Sequence, residues 1–84
     1  MQTLGDPRKH YWLTLTTAKT CGIDLGEALR EGLLTRDEYA DTVGRCRSCP
    51  EPEACRSWLT STETAEAPPA YCRNAALFAE LRAL

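Results

Sequence analysis

The 84-residue sequence predicts an all-α fold, a small bundle of four to five short helices that forms one domain over residues 1–84. Two observations predict the class: residues that start and stop helices recur along the chain, and apolar residues follow the start signals at helical spacing. A third observation concerns how so small a bundle is organised. Four cysteines, Cys46, Cys49, Cys55 and Cys72, lie close enough in sequence to form a common centre.

Capping residues mark the first two predicted helices. Asp6 is an N-cap followed by Pro7 at the first helical position, and Gly22 ends that helix. Asp24 is the next N-cap, and Gly32 closes the short second helix. The residues at helical spacing in the first helix are Tyr11, Trp12, Leu15 and either Ala18 or Lys19. The inward positions of the second helix are Leu25, Ala28 and Leu29.

A capping box predicts the start of the third helix, since Thr35 and Glu38 can each satisfy the other's backbone amide. Tyr39, Val43 and Cys46 then follow at positions i, i+4 and i+7 and form one apolar stripe. This spacing places Cys46 on the inner face at the end of a helix.

Two more helices complete the prediction. Pro52 can start a fourth helix that runs through Leu59, and residues 60–70 are polar and proline-containing, as in a surface loop. That loop brings Cys72 back toward the other cysteines. Asn74 is expected to cap the last helix. The apolar face of that helix comprises Ala75, Leu77, Phe78, Leu81 and Leu84.

The cysteine spacing is typical of metal ligands. Two residues separate Cys46 from Cys49, five separate Cys49 from Cys55, and sixteen separate Cys55 from Cys72. Thiolates select zinc or iron–sulfur clusters. Only the first pair has the spacing of a structural zinc knuckle, whereas three close cysteines and one remote one suit a larger cluster. We therefore expect these four residues to bind a 4Fe–4S cluster, with a four-cysteine zinc site as the alternative.

The segment from Cys46 to Cys55 resembles two known cluster loops, that of the endonuclease III and adenine-glycosylase family and that of the WhiB family of regulators. Both share the pattern Cys-x2-Cys-x5-Cys, often with proline after the second cysteine, as Pro50 is here. The resemblance implies a 4Fe–4S cluster and implies neither fold nor repair activity. Both families place the fourth cysteine upstream: no cysteine here matches the near position of the glycosylases, Cys21 is the candidate for the more distant position of the regulators, and Cys72 lies downstream.

The whole chain resembles a small uncharacterised family of bacterial tetracysteine proteins, seen mainly in alphaproteobacteria. The resemblance implies that Cys72 rather than Cys21 is the fourth ligand, and it supplies no activity. It rests on Gly22-Ile23-Asp24, the stretch from Arg45 to Leu59, Pro69, Cys72, Asn74 and Ala75.

Composition excludes several classes of function. The formal charge of −2 argues against electrostatic binding of nucleic acid, and no apolar stretch is long enough to span a membrane. An odd number of cysteines, five, and a polar first ten residues favour a cytoplasmic location over disulfides and export. Arginines adjoin the four cysteines and can offset thiolate charge or dock an acidic partner. They are Arg45, Arg47, Arg56 and Arg73.

Other residues give little support to catalysis. His10, between Lys9 and Tyr11, is expected at the surface, and the hydroxyl-rich first helix contains no base placed to activate a nucleophile. We therefore expect a cytoplasmic iron–sulfur protein acting with a protein partner in redox or iron sensing or in electron transfer. The alternatives are a zinc-stapled interaction module without a redox role, and a small subunit of a larger oxidoreductase.

Overall fold

The computed structural model describes residues 5–84, and the fold within that range consists of five helices without a strand. This confirms the predicted all-α class. The helices are α1 (Pro7–Thr20), α2 (Leu25–Arg30), α3 (Arg36–Arg47), α4 (Pro52–Ser61) and α5 (Ala75–Ala83). Among the described helices, none has the length and apolar character needed to cross a bilayer.

The helices begin where the capping residues predict. The carboxylate of Asp6 accepts a hydrogen bond from the amide two residues on at 2.8 Å, and that of Asp24 accepts one from the amide three residues on at 3.0 Å. Thr35 and Glu38 form both bonds of the capping box, at 2.8 and 3.1 Å. Asn74 occupies the N-cap of α5 without a side-chain bond to that helix, because its side chain is used elsewhere.

Helix α1 is the centre of the bundle and contacts α2, α3 and α4. The apolar core lies between the C-terminal end of α1, α2 and α5. Its central side chain is Phe78, from α5. The buried members of this core are Ala18, Cys21, Ile23, Leu25, Ala28, Leu34 and Phe78.

The inward face of α1 differs from the prediction. Tyr11 and Trp12 are 41% and 53% exposed, so two of the four predicted inward residues lie at the surface. Ala18 is buried as predicted, and Leu15 is half-buried against the core. The residues that face inward instead also repeat with the helical period of 3.6 residues, but their pattern starts at His10 and not at Tyr11. Most of them are polar. They are His10, Leu13, Thr14, Thr17, Ala18 and Thr20.

The long connection between α4 and α5 is fastened to the end of α1. The Ala65 amide donates to the Thr20 carbonyl at 2.9 Å. Arg82 on α5 donates to the carbonyls of Cys21 and Ala65, at 2.7 and 3.1 Å. These bonds hold the connection on the bundle and fix where its far end, with Cys72, returns.

Candidate metal centre

The four predicted ligand cysteines line a single cavity. Cys46 lies on the last turns of α3, Cys49 in the turn after it, Cys55 near the start of α4, and Cys72 two residues before the N-cap of α5. All four are free thiols. Cys21 is also a free thiol, but it is buried in the apolar core and does not border the cavity. The fold thus separates the four predicted ligands from the fifth cysteine.

A short turn between two helices positions the three close cysteines. The Cys49 amide donates to the Cys46 carbonyl at 3.0 Å, which reverses the chain at the end of α3. Pro52 then occupies the first position of α4, where a proline costs no helical hydrogen bond. Cys55 is the fourth residue of that helix and is buried against α1.

Backbone amides lie beside two of the sulfurs. The Glu51 amide donates to the Sγ atom of Cys49 at 3.4 Å. Burial raises the pKa of Cys72, and the Asn74 amide at the start of α5 opposes that rise. Such donors favour the charged form of a sulfur.

Side chains of α1 approach the other two sulfurs. The Oγ1 atom of Thr17 lies 3.6 Å from the Sγ atom of Cys55, and the Nδ1 atom of His10 lies 3.4 Å from that of Cys46. From the sequence, the threonines of this helix are hydroxyls without a neighbouring base and have no predicted role in the site. Their spacing with His10, at i, i+4 and i+7, is the signal that could have identified Thr14 and Thr17 as a buried polar stripe.

The expectation that His10 lies at the surface is wrong, because only 3% of the residue is exposed. Its ring fills the space beside Gly5, where an added Cβ atom would lie 2.0 Å from the His10 Nε2 atom. Two hydrogen bonds with Arg47 hold Gly5 there. The Gly5 amide donates to the Arg47 carbonyl at 3.0 Å, and the Arg47 Nε atom donates to the Gly5 carbonyl at 2.9 Å. This exchange explains why a histidine flanked by polar residues is buried.

Burial raises the pKa of the thiols around the cavity. It raises the pKa of Cys46 and Cys55, and it raises that of Cys72 to about 11. The Thr17 hydroxyl, 3.6 Å from the Cys55 sulfur, opposes this rise at Cys55. These three thiols therefore keep their protons at neutral pH.

The four arginines beside the cysteines have different environments. The Arg45 Nε atom donates to the Asn74 Oδ1 atom at 2.7 Å, and the Asn74 Nδ2 atom donates to the Thr42 carbonyl at 2.8 Å. This network joins α3 to the start of α5 directly behind Cys72. Arg47 holds Gly5, as described above. Arg45, Arg56 and Arg73 are exposed, and Arg47 is half-buried.

The cavity is small. Its volume is about 20 Å³, which is room for about one or two water molecules. Within residues 5–84, no three His, Cys, Asp or Glu side chains converge in a way that could hold a metal ion. The thiols surround the space, and metal binding stays a prediction.

Comparison with known proteins gives a family but no activity. No curated protein and no solved structure matches the chain. The resemblance of the Cys46–Cys55 segment to two cluster loops therefore stays a prediction. A family model described as a family of unknown function (DUF6455) matches residues 1–84. Since that match covers the whole sequence, the chain belongs to the DUF6455 family.

Proposed function

We propose that this chain is a small iron–sulfur protein that binds one 4Fe–4S cluster through Cys46, Cys49, Cys55 and Cys72. The observation that carries the proposal is that four free thiols, from four separate segments, line one cavity. A chance arrangement of cysteines would not select the four with ligand spacing and leave Cys21 in the apolar core. Four cysteine thiolates are the usual ligand set of such a cluster.

The arrangement of the cysteines favours a cluster over zinc. A single zinc ion needs four sulfurs about 2.3 Å from one point, whereas the four thiols line the cavity and, within residues 5–84, do not converge on one ion. Only Cys46 and Cys49 have the spacing of a structural zinc knuckle, and three close cysteines with one remote cysteine suit a larger cluster.

The hydrogen bonds around the cavity also favour a charged centre. Each of the four sulfurs has a neighbouring donor: the Glu51 amide, the Asn74 amide, the Thr17 hydroxyl or the His10 ring. Hydrogen bonds to the sulfurs are one of the features that set cluster potentials. A purely apolar thiol core would need none of them.

We further propose a role in redox or iron sensing or in electron transfer, exercised through a protein partner. A cluster would supply one-electron chemistry, while the chain's own residues bind it, exclude water and stabilise its thiolates. Ligation requires reduced cysteines, which favours the cytoplasm as the location. Reversible reduction without loss of iron would support electron transfer, and loss of iron on exposure to oxygen would support sensing.

Metal analysis tests the proposal. Protein purified without oxygen from iron-replete cells should contain close to four iron and four sulfide per chain and show a broad absorption band in the visible. The matched control is the same preparation from zinc-supplemented cells, which should still contain iron. A colourless protein with one zinc per chain in both preparations would overturn the cluster and leave the zinc-stapled interaction module.

A further inference from the structure

We propose that Thr17 and His10 are positioning residues that hydrogen-bond two of the cluster ligands, Cys55 and Cys46, and thereby raise the reduction potential of the cluster. The inference rests on the proposed function, and it adds one face of α1 to the site. Nothing in the cysteine motif itself points to this helix.

The hydroxyl of Thr17 is directed differently from those of its neighbours on α1. Thr14 donates to the carbonyl four residues before it at 2.7 Å, and Thr20 does the same at 2.9 Å, which is the common use of a threonine within a helix. Thr17 instead lies 3.6 Å from the Cys55 sulfur, and among the described residues no carbonyl takes its hydroxyl. Only 3% of the residue is exposed, so water does not replace this partner.

The His10 ring is also held next to a predicted ligand, Cys46. Its Nδ1 atom lies 3.4 Å from the sulfur, and the close approach of Gly5 on the other side leaves the ring no room to withdraw. A metal-bound thiolate has no proton to donate, so both contacts must have α1 as the donor when the cysteines bind a cluster. The two donors lie seven residues apart, on the same face of the helix.

The direction of the effect follows from charge. One electron from an added reductant such as dithionite increases the negative charge shared by the cluster and its thiolates, and no bond to a ligand forms or breaks. Charge-assisted hydrogen bonds stabilise the more negative state more strongly. Removing a donor therefore makes reduction harder and lowers the potential.

The test is an anaerobic titration with dithionite, followed by visible absorption, on Thr17→Val. Thr16→Val is the matched control, because it is the same substitution one residue away at a side chain that does not border the cavity. We expect a lower midpoint potential for Thr17→Val than for wild type, and no shift for Thr16→Val. Thr17→Ser, which keeps the hydroxyl, should restore the wild-type value, and His10→Phe should lower it.

The outcomes separate this inference from the proposed function. Wild-type protein without iron would overturn both. Wild-type protein with a cluster, and equal potentials for Thr17→Val and Thr16→Val, would overturn the role of Thr17 alone. If Thr17→Val holds no cluster but Thr17→Ser does, the need for a hydroxyl donor is supported. The shift in midpoint potential is then measured on His10→Phe. Loss of the cluster from both variants would overturn the inference, since shape rather than the hydroxyl would then matter.

Discussion

Two buried regions lie along α1, and they surround their cysteines with different side chains. Cys21, just after the C-terminal end of the helix, lies among aliphatic side chains and Phe78. Cys55 faces the middle of the same helix and meets the Thr17 hydroxyl. Burial raises the pKa of both thiols. At Cys21 the charge of Arg82 opposes the rise, whereas at Cys55 a hydrogen bond does.

The comparison shows how a thiol in a core differs from a thiol in a site. A buried free cysteine behaves as a small apolar residue and packs without a polar partner. Four thiols around one cavity, each beside a hydrogen-bond donor, make a poor apolar core. The polar donors and the cavity reduce the contribution of close packing to stability. Such an arrangement is stabilised when a metal converts the thiols to bound thiolates. The two regions should therefore respond differently to loss of metal.

The largest expected effect is that of removing the metal. We expect demetallated, reduced protein to lose most of its helix content, because the thiol region joins α1, α3, α4 and the start of α5. A chain of this size has only about 5 kcal/mol of stability or less to lose. Circular dichroism measures the loss, and restoring iron and sulfide should reverse it. Full helix content with a cooperative melt would show that the apolar core around Phe78 suffices.

The next effect contrasts single cysteines from the two regions. Cys72→Ala should lose the metal or bind it weakly, because it removes a proposed ligand. Cys21→Ala should keep the full iron content and cost about 1 kcal/mol of stability, the average for a point substitution. Iron analysis and urea denaturation of the two variants give the comparison. Retention of metal by Cys72→Ala together with its loss from Cys21→Ala would reverse the ligand assignment.

The smallest expected effect is a loss of stability when the hydrogen bonds of the Asn74 side chain are removed. Asn74→Ala should lower the free energy of unfolding by about 1–3 kcal/mol, because the Thr42 carbonyl and the Arg45 side chain lose a buried partner. Iron content should be unchanged, since the Asn74 backbone amide rather than its side chain contacts Cys72. Arg73→Ala is the control, and at that exposed position the change should stay within about 0.5 kcal/mol. A shift in urea midpoint that is equal for both variants would contradict the role of Asn74.

Much of the fold could be predicted from local chemistry. Asp6, Asp24 and the Thr35–Glu38 pair each satisfy amides within three residues, so the sequence alone specifies where three helices begin. Gly22 and Gly32 follow the first two helices with positive φ angles of 82° and 78°, which glycine adopts without strain. The cysteine spacing likewise predicted which thiols would border one cavity.

The inward face of α1 could not be predicted in the same way. Tyr11 and Trp12 are large aromatic residues, and their size and apolar character predict that they lie inside. They lie outside because the inward positions next to the cysteines are occupied by residues that can donate to sulfur, His10 and Thr17. Whether a polar residue on a helix is buried depends on a partner from another segment, and sequence periodicity does not contain that partner.

The sequence by itself determined the all-α class, the caps and the set of four cysteines, because each depends on residues close together in the chain. Only the tertiary structure decided that His10 is buried, that Thr17 faces Cys55, and that the Asn74 side chain supports α3 rather than capping α5. Those contacts join residues between 29 and 38 positions apart. They form only when packing brings separate helices together, since a buried polar group is stable where a partner satisfies it.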